Sequence, residues 1–356
     1  MNQDADDTSK WNRFATRPFL FAVAAAVLVA TAIAVLTFVA WQVAPVLLLF
    51  FAGVLAAILL RGIADWLSRW TGLSSGWAVT ATLLLLTALA IAAGFTMGHT
   101  LASQFVSLSD EVPRSLNKLK ENLGQYEWGE RLLQAVPQQA DELSVSGRQL
   151  TGVAATVFST FTGGIAALVI TLFLALYLAY DPDTYFHGGI RLLPVRVRPR
   201  IEDALGEVHL TLRWWLIGKM ISMILIGVMT TIGLWMLGVP VALALGVLAA
   251  VLTFVPNFGP ILSAIPAVLL ALVESPMNAL YVIILYVVIQ GIESYLITPL
   301  IQQRTVSLPP GLTISAQIGM GILFGVPGVV LATPLTAMTL VLVRRLYVED
   351  TLEAPD

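Results

Sequence analysis

Between Trp214 and Val343 the chain is nearly all apolar, and four charged side chains interrupt it: Lys219, Glu274, Glu293 and Arg304. Glu274 and Arg304 fall at expected helix ends, near the interface. Lys219 and Glu293 do not: at 1.5 Å per residue, each lies about 9 Å inside an expected span. A lone charge at the centre of a bilayer costs roughly 2.5 to 3.5 kcal/mol on insertion scales, and less towards the edge, so each needs a partner or water. The two are expected to face one another as an ion pair. Tyr286, Gln290 and Glu293 share a helix face by steps of four and three. A carboxylate so placed either carries a proton or cation or locks two helices together, and the residues leave both readings open.

The second feature is a break in the apolar run. Val255–Pro266 (VPNFGPILSAIP) sets three prolines and a glycine inside it, and Asn257 adds an amide that both donates and accepts. Backbone that leaves helical geometry in a bilayer has unpaired N–H and C=O groups, tolerated only where protein or a wet cavity surrounds them. Freed carbonyls around Phe254–Gly259 suit a neutral polar solute or a desolvated cation; the blander reading is a proline kink. A weaker copy follows 68 positions later, where Gly259–Leu272 maps onto Pro327–Leu340 and Pro266 onto Pro334. Pro240 and Pro309 open the two runs. Two such breaks, repeated, mark a binding site between discontinuous helices. The expected substrate-binding set is Pro256, Asn257, Gly259, Pro260, Gln290, Glu293, Gly325 and Gly328, with Lys219 as the partner of Glu293. Gly319, Gly321, Gly325 and Gly328 permit close backbone approach, which packing explains more often than a ligand does, and Gly94 and Gly98 have helix-contact spacing, again mostly a packing signal.

Composition bounds the rest. Of 356 residues 58% are hydrophobic and 12% charged, against about a quarter charged in a soluble domain. The net charge of −3 gives no basic footprint for a nucleic acid. No cysteine is present, which excludes disulfides and thiolate-held metals, and His99, His187 and His209 are too scattered for a metal motif. No Walker loop, dinucleotide fingerprint, HExxH or GxSxG occurs, so no cofactor is expected. Ser263 and Ser294 have no histidine at a matching depth, which argues against an intramembrane enzyme.

In chain order, residues 1–17 are a polar tail, and residues 18–98 hold three spans: Pro18–Ala40, Val46–Leu60 after a turn at Gln42–Pro45, and Trp77–Met97. Residues 99–151 form a polar, extracytoplasmic region with an amphipathic helix from Phe105 to Tyr126 interrupted by Pro113; it serves as a lid or partner arm, or more simply packs on neighbouring spans. Span four occupies 152–181 and closes at Asp181-Pro182. Residues 182–212 form a basic loop with Arg191, Arg196, Arg198 and Arg200, and 213–345 form the transport core, followed by a tail at 346–356. The placement of Lys and Arg puts that loop and both termini in the cytoplasm. The expected fold is an all-α integral membrane protein of about six full spans plus two broken, re-entrant hairpins that enter from opposite faces as an inverted repeat; the alternative is that each hairpin arm spans fully, with the same side assignments.

Leu205-Gly206, GLWMLGVP at Gly233–Pro240, the Val255–Pro266 stretch, Gln290–Ile301 and Phe324–Leu335, with Pro45 and Asp181, together resemble the autoinducer-2 exporter family of multi-span, PerM-like permeases. That resemblance covers nearly the whole chain. It implies a secondary transporter of the cytoplasmic membrane, some relatives exporting a small signalling metabolite and others resembling sodium/proton antiporters. Lys219 stands where the family pattern has Gln after Gly218, and Arg61-Gly62 where Asn-Pro is frequent. The leading expectation is a carrier, an exporter of a small polar solute by alternating access; a Na+/H+ antiporter centred on Glu293 comes second and a membrane scaffold protein last. Expected partners are the lipid bilayer, a solute with Na+ or H+, and further copies of the chain in a homo-oligomer.

Overall fold

The computed structural model describes residues 7–123, 166–299 and 308–352. The expected features at Tyr126, Glu127, Glu130, Asp141 and Glu142, the start of span four and Arg304 lie outside the described residues. Among those described every regular element is helical and no strand occurs. Five helices are long and apolar enough to cross a membrane, and a bent pair makes a sixth. The chain is an all-α integral membrane protein.

Helix α1 runs from Asp7 to Thr71 and α2 from Ser75 to Leu123. Two compact units divide within α1, Met1–Phe50 and Phe51–Asp356. The first presents Phe21, Leu28 and Leu36 outward, as a lipid-facing helix does. The expected turn at Gln42–Pro45 is not formed: the helical backbone passes straight through it. One proline removes one N–H donor, a loss that a membrane helix tolerates and that an apolar run of this length outweighs. Pro113 likewise sits inside α2, where an interruption is expected.

In the second unit, α3 (Ala166–Tyr180) meets α4 (Pro182–Arg191) at an 86° bend. Asp181 causes the corner. It precedes a proline, which disfavours helical backbone, and its carboxylate caps α4 by accepting from the Thr184 N–H and hydroxyl. The end of α1 and the start of α2 pack on α3 through small side chains, Ala57, Ala64, Ala78, Ala175 and Ala179. Arg61 closes this packing by donating to the Ala179 carbonyl at 2.8 Å, where a helix C-terminus leaves carbonyls without partners. Asp65 lies 3.5 Å from both Arg61 and Arg213, so one carboxylate links this group to the next helix.

That helix, α5 (Arg198–Met236), is the mast of the molecule. Its 39 residues run about 58 Å, twice the roughly 30 Å of hydrocarbon, so it is longer than one upright crossing needs. Two broken hairpins pack on it. The first is α6 (Ala242–Leu252) and α7 (Phe258–Glu274), and α8 (Pro276–Ile292) follows with a π-helical turn at Glu293–Ile297. The second is α9 (Pro310–Val343), whose helical geometry fails at Gly325 (φ 63°, ψ −145°). Asn257, at the first break, has φ 67° and ψ −49°. These two left-handed residues stand 68 positions apart, the displacement of the sequence repeat.

Both breaks reverse the chain. A Cβ on Gly259 would meet the Leu252 carbonyl at 1.9 Å, and one on Gly328 the Met320 carbonyl at 2.1 Å. Seven or eight residues of straight helix would hold such pairs about 10 to 12 Å apart. The hairpin bases lie at opposite ends of α5. Ala242, Leu270, Ala271 and Ala279 pack with Leu234 and Val239, next to its C-terminus; the second hairpin ends where Arg344 and Arg345 pair with Glu207, near its N-terminus. Leu108 of α2 joins the first base, and Gln104 accepts from the Ala244 N–H at 3.0 Å, satisfying an N-terminal donor of α6. The described part of the amphipathic region therefore packs on the core.

Candidate functional site

A cavity of about 360 Å³ opens where the tip of the first hairpin meets α5, the π turn of α8 and both arms of the second hairpin. Its size falls in the range of small-molecule sites, roughly 300 to 1,000 Å³. Pro256, Asn257 and Pro260 come from the first break, Lys219 and Ser222 from α5, Gln290 and Glu293 from α8, and Thr313 and Thr333 from α9.

Lys219 and Glu293 meet in this cavity. Their charged atoms lie 3.8 Å apart and each side chain is about nine-tenths buried. Gln290 donates to the second Glu293 oxygen at 2.9 Å. The π turn begins at Glu293 itself; such turns locally widen a helix and occur often at functional positions. Tyr286, on the same face in the sequence, turns elsewhere: its hydroxyl donates to the Ser263 carbonyl at 3.2 Å, tying α8 to α7.

The break is a γ-turn with positive φ. The Phe258 N–H donates to the Pro256 carbonyl at 2.8 Å across Asn257, a strained geometry. The Pro256 carbonyl accepts a second bond, from the Gln317 amide at 3.1 Å. That carbonyl, expected to be free for a ligand, is thus engaged within the protein. The Asn257 side chain is exposed and makes no hydrogen bond among the described residues. It is the polar group at this tip left open to a ligand. Trp215 packs edge-on against Phe254, ring centres 5.8 Å apart, and walls the same side.

Six of the eight residues expected to bind a solute divide as follows: Pro256, Asn257, Pro260, Gln290 and Glu293 line the cavity, whereas Gly259 does not. Gly325 and Gly328 also lie outside the lining, since Gly325 turns the second hairpin and Gly328 lets its arms touch. The part of that hairpin that reaches the cavity is Pro310, Thr313 and Thr333. Sequence reasoning missed Gln317, which is fully buried and joins the hairpins: its amide nitrogen donates to Pro256 of the first and, at 3.3 Å, to Thr333 of the second. Its carbonyl oxygen has no partner among the described residues. A signal existed, since Gln317 is the one amide between Pro310 and Val343 and follows Thr313 by a helical step of four.

Known proteins place the chain. It is 29% identical over 303 residues to MT0215 of Mycobacterium tuberculosis, covering 83% of this chain and 80% of that protein. To PerM of Escherichia coli it is 24% identical over 311 residues, 82% of this chain and 87% of PerM. To YueF of Bacillus subtilis it is 27% identical over 224 residues, 63% of this chain. The matched part is 56% of YueF and 47% of a second Bacillus protein, YrrI, so the chain spans about half the length of those two. All four are named as candidate transport proteins or, for PerM, a candidate permease. The profile of the AI-2E family transporters matches residues 28–347, and the chain belongs to that family.

Proposed function

We propose that the protein is a secondary transporter that exports a small polar solute across the cytoplasmic membrane by alternating access, with the cavity at Asn257 as its solute site. The observation that carries this reading is the meeting of both broken hairpins at one polar cavity, with the Asn257 amide unpaired inside it. Opposed hairpin bases on α5 support an inverted repeat, in which rocking one hairpin against the other exposes the site to each face in turn. Both termini and the charged end of α5 are cytoplasmic in this reading, and binding residues rather than catalytic ones line the site.

Glu293 favours a second reading, exchange of a monovalent cation for protons, because a buried carboxylate facing a lysine in a polar cavity can trade its partner for a cation. Reconstitution separates the two. Proteoliposomes carrying the protein are loaded with a panel of small polar solutes, and efflux is followed with and without Na+ and proton gradients. In the carrier reading, Asn257→Leu lowers solute flux at least about tenfold, the effect of one unmatched buried polar group, about 1 to 3 kcal/mol. In the exchange reading, Glu293→Gln abolishes proton-coupled cation flux while Asn257→Leu only weakens it. Undiminished solute flux through Asn257→Leu would remove Asn257 from the site.

A further inference from the structure

The corner between α3 and α4 carries a surface that the transport site does not use. At 86° to α3, the ten residues of α4 run along the membrane plane when α3 crosses it. Tyr177, Tyr180 and Tyr185 line one groove at this corner, at the level where tyrosines gather in membrane proteins, among the headgroups. Ile190 is buried beneath the helix and anchors it to the protein.

The segment after α4 is held firmly yet points its apolar side chains outward. Arg198 donates to the Leu193 carbonyl at 3.0 Å and to the Arg191 carbonyl at 2.9 Å, fixing the loop. His187 lies 3.8 Å from Glu202, bracing α4 against α5. On this fixed loop Leu192 is 88% exposed and Val195 71%. Arg191 and Arg196 flank them, exposed and without an ion pair among the described residues. A loop held by so many bonds has no need to leave two large aliphatic side chains in water, and the two free guanidinium groups beside them call for anions. Aliphatic side chains interleaved with arginines at the end of an in-plane helix fit a segment seated in an anionic leaflet.

We infer that α4 and the loop to Arg196 form an interfacial anchor, with Leu192 and Val195 inserted among lipid tails and Arg191 and Arg196 bound to the phosphates of anionic phospholipids. This surface is separate from the cavity and does not depend on the transport reading. The absence of cysteine allows a direct test on the full chain in vesicles of phosphatidylcholine with and without phosphatidylglycerol. Leu192→Cys carries an environment-sensitive fluorophore, and Asp203→Cys, on the exposed flank of α5, carries the same fluorophore as the reference. The label at 192 should emit as in an apolar medium and be quenched by spin-labelled lipid, while the label at 203 stays in water. Quenching at 192 should be about twofold stronger by spin-labelled phosphatidylglycerol than by the choline lipid, and Arg191→Gln with Arg196→Gln should erase that preference. Addition of inorganic phosphate should leave it unchanged, since the ligand is a headgroup held in the leaflet. A water-exposed label at 192 would overturn the anchor. A lipid preference that survives loss of both arginines, or that inorganic phosphate abolishes, would overturn the assignment of anionic headgroups.

Discussion

Lys219 and Glu293 show how a low-dielectric setting turns two expensive residues into one affordable pair. Each is about nine-tenths buried, so removing either strands the other. Lys219→Met or Glu293→Gln alone should each lower stability by roughly 3 kcal/mol or more, and the double change by less than either. Unfolding of the purified variants in detergent checks this, and additive losses would mean that the charges do not couple. Gln317 behaves differently. Its two hydrogen bonds contribute about 0.5 to 1.5 kcal/mol each, whereas its unpartnered carbonyl oxygen costs about 1 to 3 kcal/mol. Gln317→Leu removes both terms, so stability should change little while transport falls, because the link from Pro256 to Thr333 is gone. A large loss of stability with transport intact would make Gln317 a packing residue alone. Lys219 and Glu293 stand out in the sequence because charge is rare where they sit. Gln317 stands out less: it is the one amide of its apolar run, but its role comes from two partners 61 and 16 residues away, distances that no local pattern encodes.

The hairpins extend the point to whole elements. Their breaks were legible from proline, glycine and the repeat, since these residue types disrupt helices wherever they fall. The roles of their glycines were not. Gly259 and Gly328 are required by backbone from the opposite arm, and a close approach of this kind leaves no trace in local periodicity. Gly259→Ala and Gly328→Ala should each destabilise by about 1 to 3 kcal/mol, as overpacking does. Gly188→Ala, inside α4 at an exposed position with nothing within 4 Å of the added methyl, should not destabilise, and should raise stability by about 0.5 to 1 kcal/mol as loss of a helix-interior glycine does. Thermal unfolding of the three variants side by side tests the claim, and equal midpoints would show that the hairpin arms are not so tightly apposed. The turn expected at Gln42–Pro45 failed for the converse reason: a single proline is a weak signal beside an apolar helix on both sides.

At the scale of the molecule, the charges sort by end. Arg61, Asp65 and Arg213 pair, and Glu207 pairs with Arg344 and Arg345, so segments far apart in sequence share one charged end. The proposal places that end in the cytoplasm. Labelling of Val197→Cys by an impermeant maleimide should therefore require broken cells. Gln125→Cys, which lies outside the described residues, should react in intact ones, and the opposite pattern would invert the topology. The central claim is that the cavity opens to one face and then to the other, and Thr313→Cys tests it most directly, because Thr313 lines that cavity and the chain holds no other thiol. In sealed vesicles of known orientation, an impermeant maleimide should reach residue 313 when added from either side, with rates that shift in opposite directions when the ion gradient is reversed. Reaction from a single side under every gradient would contradict alternating access.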